Sequence, residues 1–175
     1  MMKKVFNMQK LVFTLIMAVF PILAYCQRGT IDLGLFAQGG GFSKKFTPYE
    51  VGFVLNYEIL NRFSIGLQAE HNISLFKEDN IKSYTTSETI EGKIGYSAYR
   101  DENYDLSIVL GIGCPARSNN DWNYAFYEAG IKCKFANSSK IKPFMGLSLR
   151  EYDSHTKVTG NHLCLMGTLG LDVNL

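Results

Sequence analysis

The sequence predicts an all-β fold: an eight-stranded antiparallel up-and-down transmembrane β-barrel preceded by a signal peptide. Three observations predict it. Beyond residue 26, apolar and polar residues alternate with period two in segment after segment, and no long i, i+3, i+4 pattern competes with them. The 175 residues include 12 Phe, 10 Tyr and 16 Gly but only 4 Pro, a bias toward strands. The polar face of the segments gathers glycine and both signs of charge, whereas the apolar face carries no charge in mid-strand. A chain that is 46% hydrophobic and 19% charged, with a formal net charge of +2, argues against disorder, a collagen-like fibre or a basic nucleic-acid-binding tail.

Residues 1–26 stand apart from the fold. Lys3, Lys4 and Lys10 precede an apolar run from Leu11 to Tyr25, broken by Pro21 and ending at Cys26. A basic start, a short apolar run and small residues before a break read as a secretory signal peptide. The run falls short of the roughly 20 residues a helix needs to cross a bilayer. Leu23-Ala24-Tyr25-Cys26 also resembles a lipoprotein box, in which Cys26 carries lipid, although Tyr25 is bulky for that pattern. Cleavage after Cys26 makes 27–175 one domain, and with three lysines gone its acids slightly outnumber its bases. Cys114, Cys133 and Cys164 remain, an odd number with neither disulfide nor zinc spacing, and read as small apolar side chains.

The alternating segments fall at about 30–39, 47–59, 62–76, 86–100, 104–114, 122–135, 140–152 and 161–175. The first puts Ile31, Leu33 and Leu35 on one face. In the second, Tyr49, Val51, Phe53, Leu55, Tyr57 and Ile59 oppose Glu50, Gly52, Asn56 and Glu58. The third sets Phe63, Ile65, Leu67 and Ala69 against Ser64, Gly66, Gln68 and Glu70. The fourth sets Ile90, Ile94, Tyr96 and Ala98 against Glu91, Lys93, Gly95 and Ser97. Leu106, Ile108, Leu110 and Ile112 carry the fifth, and Ile141, Met145, Leu147 and Leu149 the seventh. The eighth places Leu163, Leu165, Leu169, Leu171, Val173 and Leu175 opposite His162, Thr168, Gly170, Asp172 and Asn174. The sixth is ambiguous: Trp122, Tyr124 and Phe126 precede Glu128, Lys132 and Lys134 in one register, and a β-bulge would reset it. Links near 60–61, 101–103 and 136–139 read as tight turns; 40–46, 77–85, 115–121 and 153–160 read as longer polar loops.

Which face points inward decides between a soluble barrel and a membrane barrel. Nine of the sixteen glycines lie on the polar face: Gly34, Gly52, Gly66, Gly95, Gly111, Gly113, Gly130, Gly146 and Gly170. Glycine weakens a solvated strand but makes room for a large neighbour inside a narrow barrel. The same face carries Asp32, Glu50, Glu58, Glu70, Glu91, Asp105, Glu128 and Asp172 against Lys93, Lys132, Lys134, Lys142 and Arg150. On the apolar face Glu88, Arg100 and Glu151 sit at strand ends and His71 late in a long strand. A lipid-facing Arg or Lys at mid-bilayer costs about 2–4 kcal/mol, and each segment meets the roughly 9–11 tilted residues that span a bilayer. The apolar set is therefore read as outward and the charges as a lumen network. Tyr49, Tyr57, Phe63, Tyr96, Tyr99, Tyr104, Trp122, Tyr127 and Phe135 then form interfacial girdles.

A signal peptide, eight amphipathic strands, and tight turns alternating with longer loops resemble the small outer-membrane β-barrel proteins of the OmpA/OmpX kind, also porin-like. The resemblance covers roughly 28–175; Leu175 stands where such barrels favour a terminal aromatic. It implies a cell outer-membrane location in a Gram-negative envelope, contact with membrane lipid including lipopolysaccharide, help from the barrel-insertion machinery, and a monomer with no cofactor and no nucleic-acid partner. The expected role is structural or surface-interactive and non-catalytic. A lumen just wide enough for side chains must pair its charges, since a lone buried ion costs several kcal/mol; the surplus acids are expected near the ends or sharing protons. The alternatives are a lipid-modifying enzyme (lipid A deacylase or acyltransferase type) and a secreted soluble barrel holding an apolar ligand. Asp153-Ser154-His155 has triad residue types, but neighbours in sequence do not make triad geometry. Gly39-Gly40-Gly41 and Gly111-Ile112-Gly113 open no helix and so read as turn and lumen packing, not phosphate cradles. Asn72-Ile73-Ser74 and Asn137-Ser138-Ser139 read as chance matches to glycosylation acceptors. Lys44, Lys45 and Lys77 are loop charges within reach of lipopolysaccharide phosphates, or simply solvated.

Overall fold

The computed structural model describes residues 29–41, 45–60, 62–78, 81–118, 123–154 and 160–175. The leader 1–26 with Cys26, and also Lys44, Trp122 and His155, lie outside the described residues. Eight strands follow in order: β1 (Ile31–Gly40), β2 (Phe46–Leu60), β3 (Phe63–Glu78), β4 (Ile81–Arg100), β5 (Tyr104–Ser118), β6 (Tyr124–Phe135), β7 (Ile141–Ser154) and β8 (His162–Asn174). Each pairs antiparallel with its sequence neighbours, and β1 also pairs with β8, closing the sheet. Closure leaves no strand edge, which hydrocarbon requires because it offers backbone groups no partner.

The ladder climbs as it goes round. From Ile31 the register passes through Tyr57, Ile65, Ile94, Leu110, Ala129 and Leu149 to Leu165. There it meets β1 again beside Gly41, whose N–H donates to the Leu165 carbonyl at 3.2 Å, ten residues beyond the start. Such a stagger goes with strands tilted about 35–45°.

The side chains face as read. Leu169 is 66% exposed, Phe53 62% and Leu67 59%, while Glu70 and Asp172 are buried. This is inverted relative to a soluble barrel, so the apolar-ligand carrier is ruled out. Tyr49, Phe63, Tyr96, Tyr99, Tyr104 and Tyr127 are exposed toward strand ends, as interfacial aromatics should be. The lumen-face glycines sit against large neighbours: a methyl on Gly113 or Gly170 would run into the ring of Phe126 or Phe144, and one on Gly111 into the Glu91 carboxylate.

Three features differ from the sequence reading. The stretch 77–85 is not a loop: β3 runs to Glu78 and β4 starts at Ile81, so this hairpin stands beyond its neighbours. Lys82-Ser83-Tyr84-Thr85-Thr86 looks polar, yet a strand outside the bilayer needs no apolar face. β6 has no bulge; its pairings with β5 and β7 are continuous, and Tyr124 and Phe126 therefore point into the lumen. The register shifts instead at Glu58/Leu60 of β2 and at Glu88/Thr89 and Ser97/Tyr99 of β4. The shift at Ser97/Tyr99 turns Arg100 off the lipid face and toward the lumen mouth, opposite Asp105.

Candidate functional site: a layered, charged lumen

β7 reads the lumen from the short-turn end upward, because every second residue points in: Lys142, Phe144, Gly146, Ser148, Arg150 and Tyr152. Four of them, Lys142, Phe144, Arg150 and Tyr152, mark successive layers.

Arg150 is fully buried, and its guanidinium reaches four carboxylates on four other strands. Nη1 donates to Glu50 Oε2 at 2.6 Å, Nη2 to Glu70 Oε1 at 3.1 Å and Glu91 Oε2 at 3.0 Å, and Nε to Glu128 Oε2 at 2.7 Å. The planar fork suits this task, presenting five N–H donors in one plane. Lys93 adds a second cation, 3.0 Å from Glu128 and 3.4 Å from Glu91. Neutral donors complete the shell. Tyr152 Oη donates to Glu50 at 2.8 Å, Asn72 Nδ2 to Glu50 at 2.6 Å and Thr89 Oγ1 to Glu70 at 2.7 Å. The Gln38 amide reaches Glu50 and Glu70, and the Gln68 amide reaches Glu70 and Glu91. Asn72 is thus a lumen ligand, which removes Asn72-Ile73-Ser74 as an acceptor site.

An aromatic layer roofs this cluster toward the longer links. Phe46, Tyr124, Phe126, Tyr152, Cys164 and Met166 are buried together, with Phe76 packed against them. His162 stacks on Phe46 with ring centroids 4.4 Å apart, and Arg150 Cζ lies 4.3 Å from the Phe126 ring centre. Tyr124 and Ser87 share a hydrogen bond of 2.9 Å at its edge.

Below Arg150, Phe36, Val54 and Phe144 make a smaller apolar layer. Beneath it Lys132, Lys134 and Lys142 face Asp32 and Asp172: Lys132 Nζ to Asp172 2.8 Å, Lys134 Nζ to Asp32 2.6 Å and to Asp172 3.1 Å, and Lys142 Nζ to Asp32 3.4 Å. Lys132 also sits over the Phe144 ring, 3.6 Å from its centre. At the mouth Arg100 bridges Glu58 at 2.6 Å and Asp105 at 2.7 Å. A cavity opens here to the short-turn end, past Thr30, Arg62 and Arg100, and reaches up to Glu128 and Ser148.

All the lumen charges read from sequence face the interior or its mouth, but in unequal groups. The acids divide: Glu58 and Asp105 lie at the mouth with Arg100, whereas Glu50, Glu70, Glu91 and Glu128 converge in mid-lumen on Arg150. They are drawn together by the one cation able to bond all four. The sequence reading missed the neutral shell of Gln38, Gln68, Asn72 and Thr89, and it missed Phe46, Tyr124, Phe126 and Tyr152 as lumen residues. Polar–apolar alternation cannot mark an aromatic that faces inward. Of the histidines, His71 is outward opposite Glu88 and His162 is in the roof, so they do not converge. Cys114, Cys133 and Cys164 are unbridged.

No protein-family model matches the chain, and no curated protein matches it. Among solved structures it is similar to the N-terminal β-barrel domain of Pseudomonas aeruginosa OprF, at 13% identity and TM-score 0.51 over 85% of this chain and 100% of that one. It is similar to the outer membrane enzyme PagL, at 12% and 0.51 over 80% and 98%. It is also similar to the Yersinia pestis outer membrane protein Ail in a bilayer nanodisc, at 10% and 0.51 over 85% and 100%. The chain has the fold of the small outer-membrane β-barrels.

Proposed function

We propose that this chain, freed of its leader 1–26, is a monomeric outer-membrane barrel that fills its own lumen and serves a structural or surface-interaction role, neither pore nor enzyme. One observation carries the reading: Arg150 and its four carboxylates, roofed by Phe46, Tyr124, Phe126 and Tyr152, reach across the lumen from β7 to β2, β3, β4 and β6. The apolar exterior supports a membrane location, and the barrel-insertion machinery would deliver it there. Purified and inserted into a planar bilayer, the full chain is expected to show a heat-modifiable gel shift and no steady, large conductance. A persistent open level would overturn the reading. Expressed in cells, it should leave lipid A masses unchanged, with or without His155→Ala; a lipid A species that disappears in the variant would instead make it an enzyme.

A further inference from the structure

The lumen is filled at Arg150 and hollow below it. The cavity that opens at the short turns ends at Lys93 and Glu128, and its volume, about 90 Å³, is several times the roughly 10–15 Å³ that one water needs. β6, β7 and β8 make one wall of it. Gly130 and Gly146 bring no side chain there, so the wall is recessed: Gly146 lies between Lys132 and Thr168, and Gly130 lies opposite Ser148.

Three observations make this recess a place for an anion. Lys132 Nζ lies 2.8 Å and Lys134 Nζ 3.1 Å from the same oxygen, Asp172 Oδ2. Asp172 is fully buried, whereas both lysines line the cavity. Two neighbouring ammonium groups, each with three N–H donors, are therefore backed by one carboxylate and open to an acceptor in front. Charge is out of balance in the same sense. Below the apolar layer Lys132, Lys134 and Lys142 face Asp32 and Asp172, and at the mouth Arg62 and Arg100 offset Glu58 and Asp105, which leaves one positive charge over. Glu128, at the top of the cavity, is already bonded to Arg150 and Lys93. Third, Ser148 Oγ is buried one diagonal step above Lys132 with no hydrogen-bond partner among the described residues, and a buried hydroxyl left alone marks a missing partner.

We propose that the recess binds a small hydroxy acid, a monocarboxylate of a few carbons with a hydroxyl at its far end. Its carboxylate bridges Lys132 and Lys134, and its single negative charge cancels the surplus. Its methylenes lie along Phe36, Val54 and Phe144, which line the cavity between the lysines and Ser148, and its hydroxyl meets Ser148. The proposal rests on the membrane reading above, under which the short turns, and so the entrance, face the periplasm.

The test uses the full chain folded in detergent at low chloride, titrated in a calorimeter with δ-hydroxypentanoate, pentanoate and neutral pentane diol. Wild type should bind δ-hydroxypentanoate saturably and the diol about tenfold more weakly, since hydrogen bonds to charged groups are the stronger ones. K132Q should bind both acids about tenfold more weakly, and K132R should keep most of the affinity. S148A should weaken δ-hydroxypentanoate about threefold and leave pentanoate unchanged, a readout that stands even where K132Q fails to fold. Lys140→Gln, exposed in the turn at the same end, should change nothing. Equal binding of acid and diol overturns the proposal, as does a folded K132Q that binds like wild type, or an S148A that weakens both acids alike. A wild type without the heat-modifiable shift sinks the membrane reading itself; a folded barrel that binds no acid sinks only this site.

Discussion

In the upper lumen one guanidinium and one ammonium group face four carboxylates, whereas in the lower lumen three ammonium groups face two. The upper group is covered by aromatic rings and meets the cavity only at its lower edge, through Gln68, Lys93 and Glu128; the lower group lines that cavity where it opens at the short turns. The difference lies in the water supply. Where water is scarce, lone pairs need protein donors, and Gln38, Gln68, Asn72, Thr89 and Tyr152 provide most of them, Glu91 Oε1 alone of this cluster's buried carboxylate oxygens being left without one among the described residues. Where water enters, Lys132, Lys134 and Lys142 do with two aspartates and the Asn174 amide, which donates to Asp32 at 3.0 Å.

The largest effect should come from removing the upper cation. Arg150→Met leaves Glu50 and Glu70 with no cation in contact and Glu91 and Glu128 with Lys93 alone, and breaking a buried ion pair typically costs about 3–5 kcal/mol. The urea midpoint of the heat-modifiable band reads the loss. Adding Glu50→Gln and Glu91→Gln should restore part of it; a double-neutralised variant no better than R150M alone would mean that the cluster is not held by charge balance.

Tight packing is the second distinction. Gly113→Ala would meet the Phe126 ring and, at 2.8 Å, the Ile90 carbonyl, and overpacking of this kind costs about 1–3 kcal/mol. Gly95→Ala in the lower half meets a Ser64 hydroxyl at 2.6 Å, a single rotatable group, and should cost under about 1 kcal/mol. Equal losses from the two would erase the contrast in packing. Lys132→Met should cost less than R150M, since Lys134 still pairs with Asp172 at 3.1 Å, and its effect should shrink with added salt while that of R150M does not. A salt-independent loss at Lys132 would place the lower cluster, too, out of water.

Smallest of all is the turn 101–103, outside both regions. The Tyr99 hydroxyl, donating to Asp101 at 2.8 Å, and the Tyr104 and Asn103 amides hold the Asp101 carboxyl below its ordinary range. A depressed folded value adds stability above the unfolded value, and that stability is lost as pH falls through the folded one. Asp101→Asn should therefore lower the unfolding midpoint slightly near neutral pH and leave it unchanged once the pH falls below the folded value. A difference that widens toward acid would reverse the assignment.

Strand count, closure, facing and the lumen charges were legible because alternation and glycine placement are written residue by residue. What was not legible needed three dimensions. Arg100 was read on the apolar face because it shares the parity of Ile90, Ile94, Tyr96 and Ala98 in β4, and only the bulge at Ser97/Tyr99 moves it to Asp105. Tyr124 and Phe126 look like residues out of register until Phe46, from a different hairpin, is seen to meet Tyr152 at 5.1 Å between centroids. That Arg150 gathers Glu50, Glu70, Glu91 and Glu128 depends on the stagger of the ladder, which no single strand encodes.

That stagger also governs how the molecule is made. The seam joins Asn174 to Asp32 across 142 positions, and until it forms the first and last strands both present bare backbone. Topologies dominated by such distant partners assemble slowly, so the unfinished sheet must be shielded in the meantime. A chain cut short before β8 would lose far more than one eighth of the wall, because it would keep two raw margins that hydrocarbon cannot accept.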